Sequence, residues 1–356
     1  MKIGVDISQI VYGTGVSVYT KNLVMALLKL DQENSYTLFF SSLRRKLDYS
    51  FINELTSSRV NLKKYKLPPT ALELFWNRLH ILPIENFVGR VDIFHASDWT
   101  QPPAKQAKLV ATVHDLSFLR WPESVHPKIL AVQKRRLEWV KKEADAIIAV
   151  SEATKKEIIE LLGIPEKKIT VIYEALPSDI ADFRLATPGV AKKPYIFAYG
   201  SQSPRKNIKK IIAAFKEVKK KVDCQLVICG EYKPEFKLPK DIILTGFLPR
   251  RKMLSLLAEA TVFAYPSLYE GFGLPILEAF ALGVPVVTSN LSSMPEVAGK
   301  AAVLVEPTSR EEISAGIFKA LENKNKLIGL GKERLKLFSW QKAARKTIKV
   351  YRNLAV

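Results

Sequence analysis

Short apolar segments alternate with segments of helical periodicity along almost the whole chain, and this alternation restricts the fold more than any other feature. In the first part, a helix is predicted at residues 16–30 and strands at residues 3–7, 36–40, 60–65 and 170–173. Such alternation is typical of βαβ units, whose strands form a parallel sheet covered by helices. The chain is therefore predicted to be an α/β protein.

The alternation begins again at Tyr195. Helices separate further strands, which are predicted at residues 195–200, 225–229, 242–244, 262–265 and 284–288. Residues 177–194, between the two series, are polar and aperiodic, so we interpret them as an interdomain linker. A chain of 356 residues is long enough for two domains with separate cores. We therefore expect two α/β domains, followed by a final helix at residues 340–354.

Residues 265–278, Y-P-S-L-Y-E-G-F-G-L-P-I-L-E, combine a strand end, a Gly-rich turn and a helix start. Pro275 suits the first helical position, and Gly283 suits the position just past the helix end. Gly271 and Gly273 let backbone N–H groups come close to a ligand, beside a helix N-terminus that stabilises an anion. The stretch is thus either an anion site or a structural joint between a strand and a helix.

Charged side chains accompany this turn. Glu270 and Glu278 bracket it, and the segment S-Q-S-P-R-K-N after the strand at 195–200 contributes Arg205 and Lys206. If the next helix starts at Pro204, both cations lie in its first turn, where they oppose the helix dipole by roughly 0.3–1 kcal/mol each. A bound diphosphate would explain this placement. The alternative is that both are solvated cations of a basic chain.

The first glycine loop, V-Y-G-T-G-V, follows the first predicted strand and precedes the helix at 16–30. Gly13 and Gly15 leave room for a phosphate at that helix N-terminus. A dinucleotide-binding motif needs a third glycine, but Val18 stands in its place, and the next strand lacks the acidic residue that holds a ribose. A dehydrogenase is therefore disfavoured.

Other candidate residues follow the ends of further predicted strands. His95 ends V-D-I-F-H, and His114 ends L-V-A-T-V-H. Ligands of open α/β sheets bind beyond the carboxyl ends of the strands, so His114 is either a site residue or a structural histidine. The segment T-G-F-L-P-R places Gly246, Phe247 and Leu248 in another such loop, where backbone groups can contact a nucleotide base.

The formal net charge of +20 favours anionic partners, which include nucleotides, nucleic acid and an anionic membrane surface. Apolar content of 47% and charged content of 25% are typical of a globular protein. The sequence shows no transmembrane run and no signal peptide, which favours a cytoplasmic location. It also shows no metal-ligand cluster, so no metal site is expected. The apolar segment at residues 67–83 is interpreted as core, with membrane contact or an acceptor groove as the alternatives.

These motifs resemble the GT-B glycosyltransferases of the large retaining family 4. The resemblance covers nearly the whole chain and is strongest at residues 266–299, which begin P-S-L-Y-E-G-F-G-L-P-I-L-E. The segments G-S-Q-S-P-R-K-N, A-T-V-H-D, G-T-G-V-S-V-Y-T and F-S-W-Q-K-A-A also resemble family segments. The family's fold consists of two Rossmann-like domains facing across a cleft, with the C-terminal helix crossing back to the N-terminal domain.

The resemblance implies three segments: an acceptor-binding domain at residues 1–178, a nucleotide-sugar-binding domain at 190–336 and a terminal helix at 337–356. It implies a metal-independent hexosyltransferase without a cofactor, whose co-substrate is a nucleotide-diphosphate sugar. GDP-mannose is favoured as donor, and UDP- and ADP-sugars are the alternatives. The implied acceptor is a glycan or a lipid-pyrophosphate-linked oligosaccharide, with peripheral contact to an anionic inner membrane face and no nucleic acid partner.

The resemblance also assigns roles to individual residues. Glu278 would hold the donor ribose, and Glu270 would face the transferred sugar beside backbone groups of residues 271–273. Arg205 and Lys206 would neutralise the diphosphate as charge develops on it. His114 would line the cleft beside the sugar. The remaining expected donor contacts are Gly15, Gly246, Phe247, Leu248, Gly271, Phe272, Gly273 and Leu274.

One departure from the family pattern lies after the strand that reads V-I-Y. Many relatives have Asn-Gly there, whereas this chain has Glu174 and Ala175.

The residues leave two alternatives to a transferase open: a polyanion-binding GT-B protein that has lost catalysis, and a nucleotide-sugar epimerase of the same shape. The high net positive charge motivates the first alternative. The second stays open because such an epimerase cleaves the same anomeric bond.

Overall fold

A computed structural model describes residues 1–55, 58–180, 183 and 193–355, without the side chains of Tyr49, Ser50 and Glu54. The chain forms two compact units. Unit 1 consists of residues 1–174 together with 340–356, and unit 2 consists of residues 175–339. Most of the predicted linker, residues 181–182 and 184–192, lies outside the described residues.

The strands of the described residues are β1 Lys2–Asp6, β2 Ser35–Ser41, β3 Val60–Tyr65, β4 Ile93–Ala96, β5 Lys108–Val113, β6 Ala146–Ala149, β7 Ile169–Val171, β8 Tyr195–Gly200, β9 Gln225–Gly230, β10 Ile242–Gly246, β11 Val262–Tyr265, β12 Val286–Ser289 and β13 Val303–Val305. Their α-helices are α1 Gly15–Leu30, α2 Tyr49–Glu54, α3 Pro69–Leu72, α4 Glu85–Val88, α5 Ser117–Arg120, α6 Pro127–Glu143, α7 Glu152–Leu162, α8 Ile208–Lys219, α9 Arg250–Ala258, α10 Leu274–Ala281, α11 Met294–Ala298, α12 Arg310–Glu322, α13 Lys324–Leu335 and α14 Trp340–Leu354. A π-helical segment, Glu73–Arg78, continues α3.

Unit 1 contains a parallel sheet with the strand order β3-β2-β1-β4-β5-β6-β7 over the part of the chain that is described. The chain moves outward from β1 on one side and from β4 on the other, so the winding reverses between these two strands. Doubly wound sheets bind ligands beyond the carboxyl ends of the strands at this reversal, the switch point. The loops after β1 and β4 are therefore where a ligand of unit 1 is expected.

The core of unit 1 lies on the two faces of its sheet. One apolar cluster joins β5 and β6 to α6 and α7 and includes Leu137, Val140 and Ile158. Another surrounds the fully buried Trp76 of the π-helical segment. The C-terminal helix α14 buries residues at helical spacing, among them Ala344 and Tyr351, and packs against α1.

Unit 2 repeats this plan with the strand order β10-β9-β8-β11-β12-β13 among its described strands, all parallel. Its switch point lies between β8 and β11. The core packs α8 and α12 against the sheet through side chains such as Ile211, Phe215 and Ile317. Two Rossmann-like domains of the predicted α/β class are thus confirmed.

Differences from the sequence predictions are local. The short strand β13 was not predicted, and β7 lies slightly earlier than the predicted strand at 170–173. The first unit ends at Glu174 rather than at residue 178. The helix predicted at 340–354 occurs at those residues as α14 and belongs to unit 1.

The apolar segment at residues 67–83 is core in part. Leu72 and Trp76 are buried, whereas Leu74, Leu79, Ile81 and Leu82 are between 37% and 54% exposed. The core interpretation is therefore correct for one side of the segment and wrong for the other. No helix among the described residues has the length and apolar character needed to cross a bilayer.

Candidate active site

Arg205, Lys206 and Glu270 lie together at the switch point of unit 2. The two cations follow β8 in a 3-10 turn, Pro204–Lys206, and Glu270 lies in the loop after β11. The Leu268 N–H donates to the Arg205 carbonyl oxygen at 2.7 Å, which ties the loop to the turn. Adjacent parallel strands thus deliver the three side chains to one edge of the sheet.

The placement of Arg205 and Lys206 in the first turn of a helix was wrong. Asn207 has φ 60°, in the left-handed region, and separates the 3-10 turn from α8, which starts at Ile208. The buried Asn207 amide donates to the carbonyl oxygens of Pro266 and Pro307 at 2.9 and 2.7 Å. This tertiary contact fixes the break. The cations therefore precede the helix, and the argument from its dipole does not apply.

Glu270 forms ion pairs with both cations. Its Oε2 lies 3.0 Å from Arg205 Nη1, and its Oε1 lies 2.6 Å from Lys206 Nζ. Lys206 also donates to Tyr265 Oη at 2.8 Å. Burial by itself would raise the pKa of Glu270, but the charges of Lys206 and Arg205 outweigh it and lower that pKa. The carboxylate is thus ionised, and the triad keeps a net positive charge.

The loop that carries Glu270 is fixed by serines of another loop. Ser292 Oγ donates to the Glu270 carbonyl oxygen at 2.7 Å, and Ser293 Oγ lies 2.8 and 2.7 Å from the carbonyl oxygens of Glu270 and Phe272. The Phe272 ring is buried and contacts Phe338 edge to face. Gly273 has φ 105°, which only glycine adopts without strain. Sequence reasoning missed both serines, whose signal is their position just after β12.

Glu278 belongs to a second cluster. It is buried in α10, and its Oε1 lies 2.7 Å from Arg250 Nη2, while Tyr199 Oη donates to its Oε2 at 3.2 Å. Arg250 Nε also lies 2.9 Å from Asp179 Oδ2. The Tyr199 and Tyr265 rings meet edge to face with centroids 6.3 Å apart, so the two clusters are neighbours. The sequence assigned no role to Tyr199 or Arg250.

Gly246, Phe247 and Leu248 lie at the carboxyl end of β10, as predicted. Gly246 has φ 65°, and the Phe247 side chain is 81% exposed. Arg250, which opens α9 shortly after this loop, connects the segment to Glu278. Leu274 is the first residue of α10, directly after Gly273. The predicted donor contacts of unit 2 therefore surround one end of its sheet.

His114 and Gly15 belong to unit 1. His114 follows β5, and its Nδ1 lies 2.9 Å from Oε1 of Glu174, which follows β7; both side chains are largely buried. Burial by itself would lower the pKa of His114, but the hydrogen bond and charge of Glu174, with a contribution from Asp98, raise that pKa. Glu174 therefore favours the protonated form of the histidine that the resemblance assigns to the cleft.

His95 is a structural histidine. Its Nδ1 lies 2.7 Å from Tyr351 Oη, and its Nε2 lies 2.8 Å from Thr112 Oγ1. Burial lowers the pKa of His95 to about 3, with the charges of His114 and Arg136 contributing. It stays neutral at physiological pH and connects the sheet to α14. Tyr19, which also contacts Thr112 at 3.3 Å, packs edge to face on His114.

Gly15 is the first residue of α1, after the Thr14 cap, whose side chain accepts a hydrogen bond from the Ser17 N–H. A Cβ at Gly15 would meet no atom within 4 Å, so the fold of unit 1 does not require glycine there. A cavity of about 20 Å³, which is roughly the size of one water molecule, is lined by Asp6, Tyr19, Asp98 and His114 among others. His114 and Gly15 thus both lie near the switch point of unit 1.

Within the described ranges, no group of three or more His, Cys, Asp or Glu side chains is arranged to hold a metal ion. Metal independence of the reaction stays a prediction.

Comparisons with known proteins identify the family. The family described as "Glycosyl transferases group 1" matches residues 181–337, and "Glycosyltransferase Family 4" matches residues 13–179. O-antigen chain mannosyltransferase B of Escherichia coli is 31% identical over 290 residues, 74% of this chain and 74% of that protein. The MMP alpha-(1->4)-mannosyltransferase of Mycolicibacterium hassiacum is 28% identical over 274 residues, 68% of this chain and 64% of that protein.

The solved structure of sucrose-phosphate synthase from Thermosynechococcus elongatus has the same fold. It aligns with a TM-score of 0.71 at 19% identity and covers 99% of each chain. At that identity the similarity concerns the fold alone. The sequence matches, which together extend over both units, and the relative at 31% identity establish that this chain belongs to the group 1 glycosyltransferases of family 4.

Proposed function

We propose that the protein transfers a hexose from a nucleotide-diphosphate sugar to a glycan or lipid-linked acceptor, with retention of the anomeric configuration and without a metal ion. GDP-mannose is the favoured donor and mannose the favoured transferred sugar, because the two relatives described above are mannosyltransferases by name. The observation that carries the proposal is the Arg205–Lys206–Glu270 triad at the switch point of unit 2.

The triad fits a diphosphate leaving group. When the bond between the anomeric carbon and the diphosphate oxygen breaks, the electron pair leaves with the diphosphate, whose charge grows. Arg205 and Lys206 are only partly buried, at 24% and 17% side-chain exposure, so a phosphate oxygen can reach them. Fixed cations next to the growing charge stabilise the transition state more than the ground state.

Glu270 has two roles in this proposal. It holds the two cations in place in the absence of donor, and its remaining hydrogen-bonding capacity faces hydroxyl groups of the transferred sugar. The acceptor oxygen attacks the anomeric carbon from the same face that the diphosphate leaves. The acceptor proton passes to a diphosphate oxygen, so no side chain of the protein needs to act as nucleophile or base.

His114 supplies a hydrogen bond to the sugar. With Nδ1 committed to Glu174, the protonated ring has its Nε2–H available as a donor to a sugar hydroxyl. The raised pKa of His114 keeps this donor form at a higher pH than in a free imidazole.

Glu278 holds the ribose in this proposal, and Arg250 and Tyr199 orient its carboxylate. The exposed Phe247 ring and the backbone of residues 246–248 contact the base. Because the strand-end loop carrying these residues is joined to Glu278 through Arg250, base and ribose recognition depend on one another.

A lipid-linked acceptor places the protein at an anionic membrane surface. The exposed side chains of Leu74, Leu79, Ile81 and Leu82 lie within nine consecutive residues, next to Arg78, whose side chain is 57% exposed. Apolar groups beside cations are what an anionic bilayer surface stabilises. This segment also holds His80 and Leu82 at φ 52° and 62°, a costly conformation for residues other than glycine.

Vesicle sedimentation tests the membrane contact. Wild-type protein is expected to sediment with phosphatidylglycerol-containing vesicles and less with pure phosphatidylcholine. A Leu79→Ser/Ile81→Ser variant is expected to stay in solution, and Leu161→Ser, which removes another exposed leucine of unit 1, is the control. Equal sedimentation of all three proteins would contradict the assignment of the segment.

A thermal-shift panel of GDP, UDP and ADP, followed by NMR analysis of the product formed from the matching sugar donor, tests the function. We expect GDP to give the largest shift and the product to keep the α configuration of the donor. A preference for UDP or ADP would change the donor and leave the reaction class intact. Conversion of the donor sugar without any acceptor would instead support an epimerase.

A further inference from the structure

Another cavity of unit 1 lies at the carboxyl ends of the neighbouring strands β2 and β3, and its volume is about 390 Å³. In the sheet register, Phe40 of β2 pairs with Lys64 of β3, and the Ser42 N–H donates to the Tyr65 carbonyl oxygen at 3.2 Å. The Ser42 hydroxyl in turn accepts the Arg45 N–H at 2.9 Å. The walls of the cavity are thus fixed by strand pairing and by a hydrogen-bonded turn.

Cations dominate the polar part of the lining, which includes Arg44, Arg45, Lys46, Lys64 and Lys66 and contains no carboxylate. Among the ion pairs of the described residues, none joins any of these five side chains to an acidic group. This differs from the catalytic candidates of unit 2, whose cations are paired with Glu270. An anion entering the cavity therefore displaces water rather than an existing carboxylate.

Arg45 is held in place while it faces the cavity. Its Nη1 donates to the Val11 carbonyl oxygen at 2.7 Å, and its guanidinium lies over the Tyr12 ring at 5.1 Å from the centroid. Val11 and Tyr12 belong to the segment between β1 and α1, which leads to Gly15. The cationic cavity is thereby connected to the loop at the switch point of unit 1.

The rest of the lining is apolar. Phe40 and Leu47 are 5% and 6% exposed and form buried wall, whereas Leu43 is 56% exposed. Ile52 and the half-buried Tyr65 ring complete this side. A cavity for a small inorganic anion needs no apolar wall, and a hydrocarbon group bound here would remove the apolar surface of Leu43 from water.

We propose that this cavity binds the phosphoryl end of a lipid-linked acceptor: the cations take a phosphate or diphosphate group, and the apolar wall takes the first carbons of the attached lipid. Charge complementarity and the mixed lining select an amphipathic phosphate over a free phosphate or a nucleic acid backbone. The inference rests on the proposed lipid-linked acceptor, and it adds a binding site separate from the donor residues.

Isothermal titration with farnesyl diphosphate tests the site, with inorganic diphosphate as the charge-only probe. Wild-type protein is expected to bind farnesyl diphosphate more tightly than inorganic diphosphate. Lys64→Gln/Lys66→Gln is expected to weaken farnesyl diphosphate binding by about tenfold or more, because two charge-assisted hydrogen bonds are lost. Leu43→Ser is expected to weaken farnesyl diphosphate and leave inorganic diphosphate unchanged.

The matched control is Lys128→Gln/Lys134→Gln, which removes the same charge from exposed positions of α6. Equal losses in both double variants would show attraction to overall charge and overturn the proposal. Equal affinity of wild type for the two probes would overturn it in favour of a free-phosphate site. If the Lys64→Gln/Lys66→Gln variant no longer bound phosphatidylglycerol vesicles but kept its affinity for farnesyl diphosphate, the proposal would be overturned in favour of a membrane-headgroup surface.

The GDP-induced thermal shift, measured on the same proteins, separates this inference from the proposed function. A normal GDP shift in the Lys64→Gln/Lys66→Gln variant with lost farnesyl diphosphate binding supports the cavity. A normal GDP shift with unchanged farnesyl diphosphate binding overturns the cavity and leaves the donor assignment standing. An absent GDP shift in the wild type would count against the proposed donor, whatever the lipid probe shows.

Discussion

The two switch points of this protein have the same topology and different chemistry. In unit 2 the loops after β8 and β11 bring together two cations and one carboxylate, which leaves a net positive charge. In unit 1 the cavity at the corresponding strands β1 and β4 includes the buried Asp6 and the partly exposed Asp98, which lies 3.4 Å from the guanidinium of the buried Arg136, and His114 is held by Glu174. The strand order fixes where side chains meet, whereas the residues at the loop starts decide what they can bind.

This difference fits a division of labour. A positive triad suits the diphosphate of the proposed donor, which would gain charge in the proposed reaction, and a set of acids and a histidine suits the hydroxyl groups of sugars. Burial raises the pKa of Asp6 and of Asp98, because low-dielectric surroundings penalise the charged carboxylates. The same desolvation penalty would apply to a further anion at this place. Substitutions in the two regions should therefore change different properties of the enzyme: the turnover number for unit 2 and the pH dependence for unit 1.

The largest effect is expected from removing the cations of unit 2. Arg205→Ala/Lys206→Ala should lower kcat by roughly a hundredfold to a thousandfold or more, the range for losing transition-state charge stabilisation. Lys209→Ala, which removes an exposed lysine of α8 paired with Glu235, is the control and should be near wild type. Near-normal turnover of the folded double variant, measured with saturating donor, would refute the diphosphate assignment.

An intermediate effect is expected in unit 1, where Glu174→Gln should shift the pH dependence. The amide can still accept a hydrogen bond but carries no charge, so the pKa of His114 should fall and the protonated form should be lost at lower pH. NMR titration of His114 and the pH profile of kcat/KM measure both shifts. Glu143→Gln, in the other His–Glu pair at His80, should leave the profile unchanged.

The His114–Glu174 pair also predicts how the free energy of unfolding depends on pH. Because the folded pKa of His114 is raised, the pair stabilises the fold fully below the unfolded imidazole pKa of about 6.5. This stabilisation is lost as pH rises through the folded pKa. The difference in unfolding free energy between wild type and Glu174→Gln should therefore be larger near pH 6 than near pH 9. A difference that grows with pH would contradict the assignment.

The smallest effect is expected from the second cluster of unit 2. Arg250→Ala removes the ion pair to Glu278 and should raise the donor KM by about tenfold or less, because Tyr199 still donates to that carboxylate. The turnover number should change little, which separates ribose positioning from diphosphate stabilisation. Arg251→Ala, at the next and exposed position, is the matched control. A large loss of kcat with an unchanged KM would assign Arg250 to the chemical step instead.

Sequence reasoning predicted elements better than contacts. Apolar periodicity was enough to predict the strands whose ends lead to Arg205, Glu270 and His114. It placed Arg205 and Lys206 in a helix because Pro204 is a common helix start, and it could not foresee that Asn207 breaks the segment by bonding to Pro266 and Pro307. Residue 307 is distant in sequence, and no local pattern reports such a bond.

The sequence alone determined the α/β class, the two series of strands and helices, and the loops in which candidate residues lie, because these follow from local periodicity and from Gly and Pro positions. Only the tertiary structure decided which side chains meet. It paired Glu270 with two cations, Glu278 with Arg250, and His114 with Glu174. These pairs join residues from loops and helices that follow different strands, so their distances depend on strand order and sheet register, which no single segment encodes.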